Sequence, residues 1–255
     1  MFYGLDFIYN GIPSDTFGLK IVEFGSSGER EDMTAVSYSV EEEKVRRKPV
    51  PYFFGVEQND KLKFSMTIAR QEALDRYDNG VITKWLFNKQ YNELKVIQPD
   101  LNGVYYRCIL TNPKKVQYGN LAYAISFDVE CNAPYGFTEE ITDTYNITTS
   151  ATINHYSPSC SNDYLYPKLE ITVGSTTTNF SIINTSDANR EFKFTSIAPS
   201  QVITVTNDLG IITSTGSASL TQFNKKWFRI LPEYNVLTVT GSATLKIIAR
   251  YPLIS

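Results

Sequence analysis

The 255-residue chain has a single histidine and only three cysteines. His155 has no cysteine or carboxylate beside it in sequence, so a His-based triad or a histidine-rich metal site has almost nothing to build on. Cys108, Cys131 and Cys160 lie far apart, and no CxxC spacing occurs. They read as thiols packed in strands rather than as metal ligands or a redox pair, which fits synthesis in a reducing compartment. Neither a G-x-x-x-x-G-K-[ST] phosphate loop nor a G-x-G-x-x-G turn is present. The acids Glu139, Glu140 and Asp143 could supply paired carboxylates for glycoside hydrolysis, but such a cluster reads more simply as a solvated loop. The expectation is a protein without catalytic residues, cofactor or metal, and not an enzyme.

Long apolar runs are also missing. No stretch approaches the roughly 20 residues that a membrane-spanning helix needs, so no membrane insertion is expected. The opening MFYGLDFIYNG has no basic run and carries Asp6, unlike a secretory leader. The net charge of −3 offers no basic face for reading DNA and no polybasic membrane anchor. Asn146, Asn179 and Asn184 each begin a glycosylation triplet, which without a leader is a chance match.

What the chain does have is apolar bulk, 42% of residues, and many aromatics, with 17 Tyr and 15 Phe. That is enough for a packed core. Charge is unevenly placed: residues 1–130 hold 16 of the 24 Lys and Arg and 18 of the 27 Asp and Glu. The rest is Thr-, Ser- and Asn-rich. This change of texture, at Cys131-Asn132-Ala133-Pro134-Tyr135-Gly136, predicts two domains, 1–133 and 134–255.

The first half contains one clear helix signal. Leu74, Tyr77, Val81, Ile82, Trp85 and Leu86 place an apolar stripe along about three to four turns. Asn79-Gly80 interrupts it, so the helix is expected to start near Asp78, capped by Asp78 or Asn79. Strands are predicted at 2–9, 19–24, 91–97, 103–110 and 121–130, with turns at 11–15, 98–100, 111–113 and 119–120 and a flexible break at 25–28. Residues 61–68 alternate, with Leu62, Phe64, Met66 and Ile68 on one face. Residues 29–32 are charged and expected to be exposed.

Residues 34–48 begin as a strand and run into Glu41, Glu42 and Glu43, then Lys44, Arg46, Arg47 and Lys48. Two readings stand: a solvated sheet edge, or an arm whose acidic and basic parts pair with a neighbouring copy. Residues 49–55 are extended by their prolines, and their apolar side chains are expected to pack on the chain's own core or on a partner.

The second half predicts roughly nine or ten short strands, at 141–155, 165–173, 177–183, 191–197, 201–206, 210–214, 219–223, 226–231, 236–240 and 244–251. This is the pattern of a two-sheet sandwich. Adjacent strand residues point to opposite faces, so one of Trp227 and Phe228 should leave the core. With Tyr156, Tyr164 and Tyr166 it could form a face for sugar or for protein.

The first half resembles the distal tail protein family of long non-contractile-tailed phages. The matching features are the strand at 3–9, the helix core Ile82-x-x-Trp85-Leu86, Tyr91-x-x-Leu94, Gly103-x-Tyr105-Tyr106-Arg107, and Phe127-x-x-x-Cys131-x-x-Pro134-Tyr135. The second half resembles that family's galectin-like sandwich, through Tyr166-Pro167-x-Leu169-x-Ile171, Ile183-Asn184, Ile203-x-Val205-x-Asn207-Asp208 and Leu231-x-x-x-Asn235-x-Leu237-x-Val239-x-Gly241. One departure is Glu233-Tyr234, where the pattern has a turn glycine before Asn235, and Tyr234 becomes a candidate partner contact.

The resemblance implies a mostly β fold: an N-terminal β-sandwich or barrel-like domain with one α-helix, then a galectin-like β-sandwich. It implies a hub at the tail tip of the virion, assembled in the bacterial host cytoplasm. Six N-terminal domains would close a ring, joined to the tail tube protein on one face and to a tail-associated fibre or lysin protein on the other. The sandwiches would carry receptor-binding or adaptor proteins, and DNA would pass through without specific contact. Glu41, Glu42, Glu43, Lys44, Arg46 and Arg47 are the candidate ring-interface or lumen residues. Trp227, Phe228 and Tyr234 are the candidate partner or glycan surface. The alternatives are a carbohydrate-binding adhesin acting alone and a tail tube protein proper.

Overall fold

A computed structural model describes residues 4–24, 38–58 and 61–253. The flexible break at 25–28, the charged stretch 29–32 and the first residues of the 34–48 segment lie outside the described residues. The chain divides into two compact units, one ending at Phe137 and one spanning Thr138–Leu253.

The first unit contains β1 (Asp6–Tyr9), β2 (Ile12–Pro13), β3 (Lys20–Phe24), β4 (Tyr38–Glu43), β5 (Tyr52–Gln58), β6 (Lys63–Leu74), α1 (Arg76–Leu86), β7 (Asn92–Ile97), β8 (Tyr106–Tyr118), β9 (Leu121–Cys131) and β10 (Gly136–Phe137). Seven strands form one antiparallel sheet, in the order β2-β1-β7-β8-β9-β6-β3. A single bridge between Leu5 and Ile21 ties β3 to the chain just ahead of β1. The sheet thus curls back on itself without a full closing ladder, so the mostly β domain with one helix is as expected but it is not a barrel.

Helix α1 fills the curl. Ile82, Trp85 and Leu86 are buried, and the Trp85 ring stacks on Phe7 at 5.9 Å and contacts Phe17 at 4.8 Å. Its indole N–H donates to the Tyr9 carbonyl at 3.0 Å, fixing the helix to β1. Two expectations are corrected here. The cap is Asp75, whose carboxylate accepts from the Asp78 N–H at 2.7 Å, and the helix runs through Gly80. The buried stripe is narrower than the sequence suggests, with Tyr77 78% exposed and Val81 at the surface. Three residues on one and a half turns suffice because the bulky indole spans the gap to β1.

Strand β8 corrects another reading. Thr111-Asn112-Pro113 is not a turn but a bulge within a 13-residue strand, with Asn112 at φ 53°. The Asn112 amide donates to Asp128 Oδ2 at 2.9 Å and the Ser65 hydroxyl donates to Oδ1 at 3.1 Å, which together hold that carboxyl below its usual range.

The second unit is a two-sheet sandwich. It contains β11 (Ile141–Ile147), β12 (Ser150–Ser157), β13 (Lys168–Val173), β14 (Phe180–Asn184), β15 (Arg190–Phe194), β16 (Val202–Thr206), β17 (Ile211–Ser214), β18 (Glu233–Thr240) and β19 (Ala243–Ala249), with a final short β20 (Pro252–Leu253). One sheet runs β11-β19-β13-β16-β17 and the other β12-β18-β14-β15. Their inner faces alternate cleanly, and Leu169, Ile171, Ile182, Phe192, Phe194, Val205, Leu237, Val239, Leu245 and Ile247 meet in one core. The predicted 141–155 strand is really two strands in different sheets. Residues 219–223 and 226–231 are not strands; they lie along the core as a loop pinned by the Phe194–Phe223 and Leu165–Ile230 bridges. The apolar side chains of that loop satisfied a strand pattern because they also face inward.

Candidate assembly surfaces

The β4–β5 hairpin forms a two-stranded sheet of its own, and among the described residues no ladder joins it to any other sheet. Glu42 pairs with Phe53 and Glu43 with Tyr52, with a bulge between Glu41 and Glu42. Glu41, Glu42, Glu43, Lys44, Arg46 and Arg47 are all exposed, and Arg47 turns the tip at φ 71°. The acidic run is therefore part of a strand, and the basic run is the connecting turn. The Lys48 ammonium sits 3.4 Å from the Tyr52 ring centre. Val40, Val50, Tyr52, Phe53, Phe54 and Val56 are exposed, Phe53 and Phe54 each at 65%. Their packing on the chain's own core is thus excluded as an account of this segment. An isolated two-stranded ribbon is only marginally stable in water, and a ribbon with exposed aromatics on it has an unfilled demand for cover.

A second unfinished surface lies on β8. Its ladder with β7 covers only Tyr106, Arg107 and Cys108, while its ladder with β9 continues to Tyr118. Beyond Thr111 every β8 residue is exposed, including Lys114, Lys115 and Tyr118. An edge of this length with no paired strand among the described residues is a template for another strand. Nothing in the sequence marks it, because the signal is a missing neighbour rather than a residue pattern.

In the sandwich, Phe228 is 3% exposed and belongs to the core, which corrects its assignment to a surface. Trp227 is half-buried, 4.8 Å from the Phe223 ring, so neither residue is a free aromatic. The strand-alternation argument fails because these residues are in a loop. Tyr234 does face outward, and so does Tyr156, directly opposite it on β12. Glu233 takes the left-handed conformation at φ 64°, in the turn where the resemblance led us to expect a glycine. Asn235, fully buried, accepts from the Leu231 N–H at 2.8 Å and from the Asn184 amide at 2.9 Å, and donates to the Leu231 carbonyl at 2.9 Å. Nearby in sequence, Arg229 makes a two-pronged ion pair with Asp187 at 2.7 and 2.9 Å while lying over the Tyr164 ring. That guanidinium holds the Asp187 carboxyl below its usual range.

His155 has partners that sequence proximity hides. Its Nδ1 is 3.0 Å from the Tyr145 hydroxyl and 3.6 Å from Asp143 Oδ2, and its Nε2 is 3.3 Å from the Tyr251 hydroxyl. Burial lowers the His155 pKa, with Asp143 pulling the other way, and burial raises those of both tyrosines. The imidazole is fully enclosed, so no substrate reaches it. The cluster ties β11 of one sheet to β12 of the other. Among the described residues no group of His, Cys, Asp and Glu could hold a metal ion, and no helix is long and apolar enough to cross a membrane.

With this architecture in view, the comparisons with known proteins are consistent. A family model described as the phage tail protein N-terminal domain matches residues 2–133, and one described as the phage tail C-terminal domain matches residues 135–249. The crystal structure of phage SPP1 Dit, described as a paradigm of the hub adsorption apparatus in phages infecting Gram-positive bacteria, matches with a TM-score of 0.70. The match covers 98% of this chain and 100% of that one at 12% identity. Two structures of the phage P2 baseplate in its activated conformation, one with Ca and one with Sr, match with a TM-score of 0.52. They cover 97% of this chain and 98% of theirs at 10% identity. At such identities it is the fold that is shared. No curated protein sequence matches the chain. Taken with the two domain matches, which span nearly its whole length, the chain belongs to the phage tail protein family and is a structural part of the virion rather than an enzyme.

Proposed function

We propose that this chain is the ring-forming hub of a long-tailed phage's tail tip. Six copies of the first domain, residues 1–133, close a ring, and six sandwiches, residues 134–255, project from it. One face of the ring joins the tail tube protein and the other a tail-associated fibre or lysin protein. The sandwiches carry receptor-binding or adaptor proteins, and DNA crosses the ring without specific contact. Assembly takes place in the host cytoplasm.

The observation that carries this reading is the β4–β5 hairpin. It combines exposed aromatics with an acidic strand and a basic tip, all on an element outside the three larger sheets. Covering a Phe or Val side chain gains roughly 1.5–3 kcal/mol, so a neighbouring copy is a strong driving partner. A head-to-tail contact of this kind closes rings when the rotation between copies divides a full turn. Glu41, Glu42 and Glu43 serve either in that contact or at the lumen, where negative charge keeps DNA from adhering. Light scattering after size exclusion, with negative-stain imaging, tests the proposal. Rings of six or stacked sixes support it. A chain that stays monomeric even when mixed with tail tube protein would sink it.

A further inference from the structure

Cys108 and Cys131 are far apart in sequence and share no motif, yet the register of β8 and β9 sets them face to face. Both side chains point into the core of the first unit, at 0% and 1% exposure, and neither sulfur is bonded. We infer that the pair is a latent disulfide, which closes when an oxidant reaches the protein outside a reducing cell. The inference does not depend on the ring proposed above.

Three observations carry it. The first is the ladder. The Cys131 N–H points away from β8 and donates to the Leu62 carbonyl at 2.9 Å, while Cys108 is paired on its other side with Asn92 of β7. The two cysteines therefore occupy an unbonded position of the antiparallel ladder, where facing side chains lie closest. That separation is near the one a disulfide requires, so closure needs little backbone movement. The second is proximity of the sulfurs. The charge of Cys131 adds to burial in raising the Cys108 thiol, which requires the two groups to be neighbours in space. The third is exclusivity. The remaining cysteine, Cys160, is exposed and belongs to the second unit, so the inner pair has no competing thiol in its own core.

A small peroxide supplies the oxidation. One thiolate attacks a peroxide oxygen, the O–O bond breaks, hydroxide leaves and a sulfenic acid forms. The opposite thiolate attacks that sulfur, the S–O bond breaks and a second hydroxide leaves. Each hydroxide takes up a thiol proton. Two thiols thus give up two electrons and two protons, and hydrogen peroxide becomes two waters. Burial keeps both thiols protonated, so the reaction is slow. Copies are therefore made reduced and lock with age. The bond ties two neighbouring strands in the middle of the seven-stranded sheet, and by closing the 108–131 loop in the unfolded chain it favours the folded state.

The test uses the full chain carrying C160S, which removes the exposed thiol. The reduced protein is held in dilute hydrogen peroxide under native conditions for days, then unfolded, alkylated and digested without reductant. Mass spectrometry should find the Cys108 peptide joined to the Cys131 peptide, with neither thiol alkylated, and reductant should release both. The oxidised chain should still unfold cooperatively, at a urea midpoint roughly 1 M above that of the reduced chain. C131A under the same treatment should show neither the link nor the shift. If C131A fails to fold, peptide mapping of the C160S chain decides alone. Thiols that both stay alkylatable, or that oxidise separately to sulfinic acids, would overturn the proposal. So would links between chains rather than within one, or a link found only in protein that has lost its cooperative unfolding.

Discussion

Cys108 on β8 stands directly opposite Cys131 on β9, in a pair that exchanges no backbone hydrogen bonds with each other. The bond from the Asn132 N–H to the Arg107 carbonyl at 2.9 Å marks the neighbouring pair as the bonded one. Pairs of the unbonded kind bring α-carbons to about 4.5 Å, close enough for a disulfide, yet both thiols are free and buried.

Burial pushes the Cys131 thiol up to about 12 and raises Cys108 as well, so neither is a ready nucleophile. Cys160 is exposed in a loop, which corrects the expectation of three strand-packed thiols. An aromatic disulfide reagent should therefore titrate one thiol rapidly in the native protein and three after denaturation. Fast reaction of all three in the native state would contradict this placement.

Replacing Glu233 with glycine should raise stability by about 0.5–1 kcal/mol, because glycine adopts a positive φ without a Cβ clash. A urea titration reads this as a higher midpoint at unchanged slope. An unchanged or lower midpoint would mean that the Glu233 side chain contributes contacts that offset its strain.

His155 gives the fold a pH dependence. Its folded pKa lies below the ordinary value of 6.5, chiefly through burial. The unfolded chain therefore takes up a proton at a higher pH than the folded one does. The associated stability is present above about pH 6.5 and is lost as pH falls toward the folded value. Urea midpoints measured between about pH 7 and pH 5 should decline, and H155N should flatten that part of the curve. An equal decline in H155N would assign it to other groups.

Removing the Trp85 indole N–H with W85F should cost about 2 kcal/mol, since the Tyr9 carbonyl loses its indole donor and a cavity opens beside Phe7 and Phe17. Denaturant unfolding measures it. A cost near zero would show that β1 does not depend on the helix.

F53S/F54S in the β4–β5 hairpin should leave the melting of both units unchanged and abolish the proposed ring, and charge reversal of Glu41, Glu42 and Glu43 to lysine should impair either its assembly or DNA exit. Light scattering separates these outcomes. Rings formed normally by both variants would place the copy-to-copy contact elsewhere.

Much of the fold was legible because burial leaves a periodic trace. The strands predicted at 165–173, 177–183 and 201–206 all exist, as Lys168–Val173, Phe180–Asn184 and Val202–Thr206, and Ile82, Trp85 and Leu86 mark the buried helix face. The trace misleads where another constraint produces the same pattern. Phe223, Phe228 and Ile230 face the core from a loop and so imitate a strand. The 111–113 segment has turn residues because a bulge needs them too. Assembly surfaces were only half legible. The charges of the β4–β5 hairpin stood out, but the sequence left its aromatics open between the chain's own core and a partner, and only their exposure removes the first. The unpaired edge of β8 depends on where β7 ends, which no local pattern encodes.

The exposed hairpin has a consequence for supply inside the producing cell. A copy whose Phe53 and Phe54 are uncovered has no comfortable solitary state, so its solubility depends on how quickly companions arrive. Made in step with the rest of the tail, it disappears into finished particles. Made in excess, it meets only other orphans, and open-ended association competes with closure of the proposed ring. The fraction left in the pellet would then gauge the balance of synthesis among tail components, even though every domain within it is correctly folded.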